Sequence, residues 1–379
     1  MQIHVAKNPE HWNKIVDRSG YSVLHHRYEL NALRKNPLPL LIEEQNNRFL
    51  FPLTSAKIFK SFGVATSPIY NYASLLPGTE DDIHLIPRAL DCVAEFLRNV
   101  KVDYLSTCAP TFLPRPYVTL VNSWFEDHEA SVQVLYAHMF RTRNMTFEEI
   151  WKDKFSKNAR YNVRRAEREG VEVIEIETLD AIRRWKEDIF RCNISALKRQ
   201  GREGAYPDSC REAYFTELAS TKTLLRQYFK IYAAIYSGRL IAYMIVQEYN
   251  KLMEVSKAMS HTNFLDKRPN DALVSHLIKI ACEAGFELFE YGLERTRLGG
   301  KIPSLHPTLE TFRFKFGFEE VPLLVYRLGL TRSGRVLQRL FSGREHLVTR
   351  YASAPSLVRR VLLRLYVPRR RELSVFLST

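Results

Sequence analysis

Lys154 to Gly170, KFSKNARYNVRRAEREG, decides how the rest of the chain is read. With the preceding run TFEEIWKDKF it reads as one helix from near Phe147 to Gly170. Thr146 stands as an N-cap with Glu149 three residues on, the spacing at which side chains and backbone satisfy each other's donors. Gly170 stands where a left-handed residue closes a helix. Ile150, Phe155, Ala159, Val163 and Ala166 form a narrow apolar stripe. Arg160, Arg164 and Arg168 lie four apart and make one ridge, flanked by Lys157 and Arg165. Such a ridge is either a solvated basic face or a seat for a phosphate-bearing substrate, because guanidinium forks match phosphate oxygens.

Composition sets the frame. With 379 residues, 45% of them hydrophobic and 12% aromatic, the chain has the makings of two globular domains and is not disordered. No apolar run reaches the length of a membrane-spanning helix, and MQIHVAKNPE lacks the apolar core of a signal peptide. The five cysteines are scattered without a CxxC pair, so they read as thiols in a reducing compartment, and the cytoplasm is the expected address. Of the net charge of +14, a surplus of nine lies after Leu330, where eleven arginines face only Glu345 and Glu372.

Residues 1–145 read as one α/β unit. It has helices at Pro9–Arg18, His25–Lys35 and Asp82–Val100 and a hairpin of Leu38–Glu43 with Arg48–Lys57. Strands are expected at Val102–Thr107 and Ser131–His138, and the stretch SFGVATSPIYNYASLLPG reads as loop. Residues 146–330 read as a second unit. After the basic helix come a strand at Val171–Ile176 and helices near Leu179–Arg199 and Ser209–Ser220, joined by the glycine-rich loop GREGAYP. A meander of Leu224–Tyr236, Arg239–Tyr249 and Leu252–Ser260 turns at Ser237-Gly238 and Asn250-Lys251. A helix at Asp271–Ala284, a strand at Phe286–Gly292 and a strand at Glu319–Arg327 complete it. Leu305–Phe316 fits either period; Thr308 and Glu310 near its start and Lys315 near its end favour a helix.

The pattern of Trp151, Ser156, Arg160, Val163, Arg164, Arg165, Ala166, Glu167, Arg168, Gly170, Val171 and Val173 resembles the FemAB-like branch of the GNAT acyltransferase superfamily. Pro269-Asn270, Gly285, Phe289-Glu290-Tyr291-Gly292 and Phe312-Arg313-Phe314-Lys315-Phe316-Gly317 continue the resemblance, which covers roughly residues 1–330. The stretch SPIYNY resembles the family's Ser-x-Pro loop, with Asn71-Tyr72-Ala73 in place of its glycine pair. The resemblance implies an α/β fold of two tandem GNAT-like (acyl-CoA N-acyltransferase fold) domains, residues 1–145 and 146–330, with mixed sheets flanked by helices. The second is expected to carry the active site. No identity repeat links the halves, so the duplication is implied by the family alone.

In such a fold the acyl donor lies where two parallel strands part, its phosphates against the next helix N-terminus. Here that loop is Arg268, Asn270, Asp271 and Ala272. The acetyl-CoA fingerprint [QR]-x-x-G-x-[GA] is absent, so the donor is open between acyl-CoA, slightly favoured for want of a coiled-coil hairpin, and aminoacyl-tRNA. An amine attacks a thioester or ester carbonyl while charge develops on its oxygen. Lys315 is the expected cation, Glu290 the expected proton acceptor and Glu294 the second choice. Tyr291 could protonate a leaving thiolate, but strand parity sends it opposite Glu290. Arg160, Arg164 and Arg165 are the expected substrate contacts. His261 reads as a surface residue, and no metal site or covalent nucleophile is indicated.

The tail, residues 331–379, alternates leucine or valine with arginine. It could lie on an anionic membrane, pack on the body, or bind RNA. The expected activity is transfer of an acyl or aminoacyl group to an amine of a sugar or peptide envelope precursor, lipid-linked or free, by a cytoplasmic or peripheral membrane protein. The rival is a non-catalytic RNA- or membrane-binding protein on a degenerate GNAT fold.

Overall fold

A computed structural model describes residues 1–342 except 21, 33, 35, 59–61, 68–71, 200–209 and 295–306, and without the side chains of 293, 294, 307–310 and 340–342. The expected loop GREGAYP and residues 343–379 of the basic tail lie outside the described residues. The chain forms two compact units, which divide at Tyr136 and Ala137. The first takes in Met1–Tyr136 and the described residues from Pro322; the second takes in Ala137–Glu294 and the described residues up to Val321.

The first unit contains β1 (Gln2–Val5), α1 (Pro9–Arg18), α2 (Tyr28–Ala32), β2 (Pro37–Glu44), β3 (Asn47–Ile58), β4 (Phe62–Thr66), β5 (Leu76–Pro77), α3 (Ile86–Asn99), β6 (Tyr104–Pro110) and α4 (Arg115–Asp127), and the start of β7 (Ser131–Arg141). The hairpin β2–β3 forms as the alternation demands, pairing Leu38 with Leu53 and Glu44 with Asn47. The apolar faces of α3 (Ile86, Ala89, Leu90, Val93, Leu97) and α4 (Tyr117, Val121, Trp124, Phe125) pack into one core with Leu40, Phe49, Phe51 and Leu105. The loop expected after Ser61 is instead the strand β4, parallel to β6 from Val64–Tyr104 to Thr66–Ser106. Gly63 permits it, since a Cβ there would lie 2.2 Å from the carbonyl oxygen of Lys101.

The second unit holds the end of β7, then α5 (Phe147–Asp153), α6 (Lys157–Arg168), β8 (Glu172–Glu175), α7 (Leu179–Arg184), α8 (Lys186–Arg199), α9 (Arg211–Leu225), β9 (Phe229–Tyr236), β10 (Arg239–Tyr249), β11 (Leu252–Ser260), α10 (Pro269–Glu283), β12 (Leu288–Glu294) and α11 (Pro307–Lys315). The later β13 (Glu319–Gly329) and α12 (Arg332–Ser342) fall mainly in the first unit. In the second unit the strands follow the order β7–β12–β11–β10–β9–β8. The meander is antiparallel, its turns made by Ser237 and Gly238 at φ 50° and 71° and by Asn250 at φ 53°. On one face, Tyr232, Ala242, Met244, Val246, Met253 and Phe289 pack against α6 and α10.

Two of the expected helices are broken. The helix over Phe147–Gly170 is two, because Ser156 turns extended and its hydroxyl accepts from the amide of Ala159 at 3.1 Å, starting α6 afresh. Phe155 is thereby freed to insert between Phe147, Trp151 and Phe316. The helix over Leu179–Arg199 breaks at Trp185. The strand expected from Leu224 starts only at Phe229, because α9 runs on to Leu225. Leu305–Phe316 resolves as the helix α11, closed by Gly317 at φ 88°.

The first unit encloses His26. The Val23 amide donates to Nδ1 at 3.0 Å, and Nε2, assigned as the protonated nitrogen, lies 3.1 Å from the Ser74 carbonyl. Burial holds its pKa down at about 4. The folded chain therefore keeps His26 neutral where the unfolded chain protonates it, so stability falls as pH drops from about 6.5 towards 4, by roughly 3 kcal/mol in all. Unfolding free energies from urea titrations at pH 7 and pH 4.5 should show a drop smaller by about 2–3 kcal/mol in His26→Gln; an equal drop would reject the assignment.

Candidate active site

The parallel strands β11 and β12 pair only over Leu252–Leu288, Met253–Phe289 and Glu254–Glu290, although β11 runs on to Ser260 and β12 to Glu294. They part at a pair of carboxylates. Met253, Phe289 and Tyr291 sit in the core beside α6 and α10, so alternation sends Glu254 and Glu290 to the opposite face, where α8 packs. Both are buried, at 8% and 2% exposure. Gln247 of β10 stands opposite Glu254 and completes a polar row across three strands. Glu254 was not singled out in the sequence: it reads there as one polar residue in an alternating strand.

Lys315 faces the other way. Its ammonium contacts the carboxylate of Asp271 and lies 4.5 Å from the Phe312 ring and 5.3 Å from that of Phe316. The two side chains are only 13% and 6% exposed. Tyr291 packs on Phe312 of α11, so Lys315 lies on the Tyr291 side of β12, opposite Glu290, and the two do not converge. Burial raises the Tyr291 phenol far above its ordinary range; Arg313 opposes the shift and Asp271 adds to it. Arg313 is buried beside Gly292, its Nη2 2.8 Å from where a Cβ would stand. The side chain of Glu294 lies outside the described residues.

Asp271 and Ala272 start α10, but their amides donate to the Arg268 carbonyl at 3.1 and 3.2 Å. Pro269 has no amide, so the helix start offers a phosphate few backbone donors. Polar side chains cluster beside it. Arg268, left-handed at φ 59°, has a buried Nε without a hydrogen-bond partner among the described residues. Asn270 donates to the Ser260 hydroxyl at 3.3 Å, which also accepts from Arg199 at 3.2 Å. Partial burial lowers the pKa of Arg199, which enters the sequence analysis only as the end of a helix. His261 caps the preceding turn, its Nδ1 accepting from the Asn263 amide at 3.2 Å.

The arginines of α6 divide. Arg160 donates to the carbonyls of Trp151, Lys152 and Phe155 at 3.0, 2.8 and 2.7 Å, closing the end of α5. Arg165 pairs with Glu169 at 2.6 Å, and Glu169 with Lys267 at 3.0 Å, tying α6 to the turn before α10. Arg164 lies 5.6 Å from the Trp151 ring. Lys157, Asn158, Arg160, Tyr161, Arg164 and Arg168 line an open depression of about 750 Å³.

Comparison with known proteins gives these features a setting. Residues 153–298 match the family described as Acetyltransferase (GNAT) domain. The fold is similar to that of FemX, with a TM-score of 0.66 at 10% identity over 90% of this chain and 99% of that one. It is also similar to the C-terminal domain of a putative lysylphosphatidylglycerol synthetase from Agrobacterium fabrum (0.55, 14%, 88% and 95%) and to L-PGS from Bacillus licheniformis (0.54, 14%, 92% and 99%). No curated protein matches the sequence at a significant level. The α/β fold and the FemAB-like GNAT resemblance expected from the sequence are borne out.

Because Asp271 and Lys315 are buried together, removing one leaves an uncompensated charge. Asp271→Ala should cost about 3–5 kcal/mol. In Asp271→Ala/Lys315→Met most of that loss should return, as read by urea denaturation; two additive losses would show that the pair is not coupled.

Proposed function

Proceeding from a GNAT-type N-acyltransferase domain at residues 153–298 in a FemAB-like fold, we propose that the protein transfers an acyl group from a thioester or ester donor, acyl-CoA first, to the amine of a sugar or peptide envelope precursor. The parting of β11 and β12 at Glu254 and Glu290 carries this reading, because it opens a slot into which a carbonyl can enter between two strands. The acceptor nitrogen attacks the carbonyl carbon and a C–N bond forms. The tetrahedral oxyanion then collapses, breaking the C–S or C–O bond. Glu290 takes the proton that the nitrogen sheds, and the leaving group takes one from solvent. Lys315 acts here through Asp271: by neutralising that carboxylate it keeps the start of α10 open to an anionic donor. Arg268 and Asn270 would hold the donor's phosphates.

A second reading takes aminoacyl-tRNA as donor. It is favoured by the few free amides at the start of α10, which leave phosphate binding to side chains. An envelope acceptor is supported by the lysylphosphatidylglycerol synthetase named among similar folds.

Glu290→Gln keeps the shape of the side chain and should lower kcat/KM by about 10²–10⁴ with thermal stability held. CoA, acetyl-CoA and aminoacyl-tRNA should be compared by thermal shift; the true donor should add ~2.7 kcal/mol at a hundredfold excess over its Kd. Unchanged turnover in Glu290→Gln would remove its role, and no stabilisation by any donor would favour a non-catalytic binder.

A further inference from the structure

The outer face of α6 has no part in the chemistry above. Tyr161 is 57% exposed at its centre. Lys157, Arg164 and Arg168 line the same depression as Tyr161, and none of its six lining residues is acidic. Exposed Lys152 and Lys154 extend the cationic surface toward α5, while Asp153 and Glu167, also exposed, lie outside the depression. Trp151, packed between Phe147 and Phe155, holds the Arg164 guanidinium against its ring.

We propose that this face of α6 is a docking surface for an anionic phospholipid membrane. Long cationic side chains extend their stems and place their charges among lipid phosphates, while a tyrosine suits the interface with its ring toward the acyl chains and its hydroxyl in water. All six lining residues come from a single helix, so among the described residues no second wall clamps a polymer strand. One exposed tyrosine offers one stacking platform, whereas single-stranded nucleic acids are held by successive rings along a groove. The arrangement therefore fits a plane of headgroups better than an RNA. No described helix is long and apolar enough to cross a membrane. The inference is independent of the acyl-transfer reading.

The full chain is tested by co-sedimentation with phosphatidylcholine vesicles, pure or one-third phosphatidylglycerol. Wild type should bind the anionic vesicles and release them as salt rises. Lys157→Gln/Arg164→Gln/Arg168→Gln should weaken binding by about fivefold per cation, roughly a hundredfold in all, and Tyr161→Ser should weaken it further. Arg160 is left intact because it caps α5. The tail variant Arg369→Gln/Arg370→Gln/Arg371→Gln separates the two basic regions. Circular dichroism confirms that each variant is folded. Undiminished binding by the α6 triple variant overturns the proposal, as does equal binding to neutral vesicles. It is also overturned if a single-stranded RNA oligonucleotide binds wild type more tightly than the vesicles and the triple variant loses that RNA binding.

Discussion

The second unit depends on one contact, the seating of α11's end against the turn between α5 and α6. The Phe155 and Phe316 rings meet edge to face at 5.0 Å, and the Ser156 amide donates to the Lys315 carbonyl at 2.8 Å. A Cβ on Gly317 would stand 3.2 Å from the side chains of Lys154 and Phe140. The two most distinctive motifs of the sequence, KFS and FRFKFG, are thus one structural feature. Aromatic burial supplies the attraction, and the backbone bond fixes the register.

From that contact the slot is placed. With α11 seated, Lys315 reaches Asp271 at the start of α10. The chain of Arg165, Glu169 and Lys267 ties α6 to the turn ahead of the same helix. Surface pairs of this kind contribute little alone. Their value is positional, since they hold the first turn of α10 beside the strand ends where β11 and β12 part. Two of the basic side chains expected to contact substrate, Arg160 and Arg165, are therefore occupied in joining α5, α6 and the turn before α10.

Most of this architecture could be read from the chain, and what could not has identifiable causes. The capping box at Thr146, the turns at Ser237-Gly238 and Asn250, and the closing glycines are local chemistry, visible in a few residues. The phenylalanines 312, 314, 316 and 318 alternate as in a strand, while Leu305, Leu309, Phe312 and Phe316 fit a helix; the helix wins, and Phe314, two residues from Phe312, is left exposed. The break before Ser156 had a trace in the stripe, where Ile150 and Phe155 stand five apart instead of three or four. The capture of Arg160 by three carbonyls had none, because a ridge on a helix looks the same whether it faces water or folds back on a neighbouring turn. Glu254 became visible only through its register with Glu290, which joins residues from two strands separated by a whole helix.

That register bears on why the second unit keeps a polar row in a face that packing alone would make apolar. Burying a carboxylate costs several kcal/mol even where partners soften it, and two side by side repel. Apolar residues at Glu254 and Glu290 would serve the fold at least as well, as Met253 and Phe289 do one position earlier on each strand. The carboxylates stand at the last paired position before β11 and β12 separate. In the acyl transfer we propose, that cost would be offset by chemistry beside the parting strands, since a carboxylate there favours a nucleophile that arrives protonated and must lose its proton before it attacks.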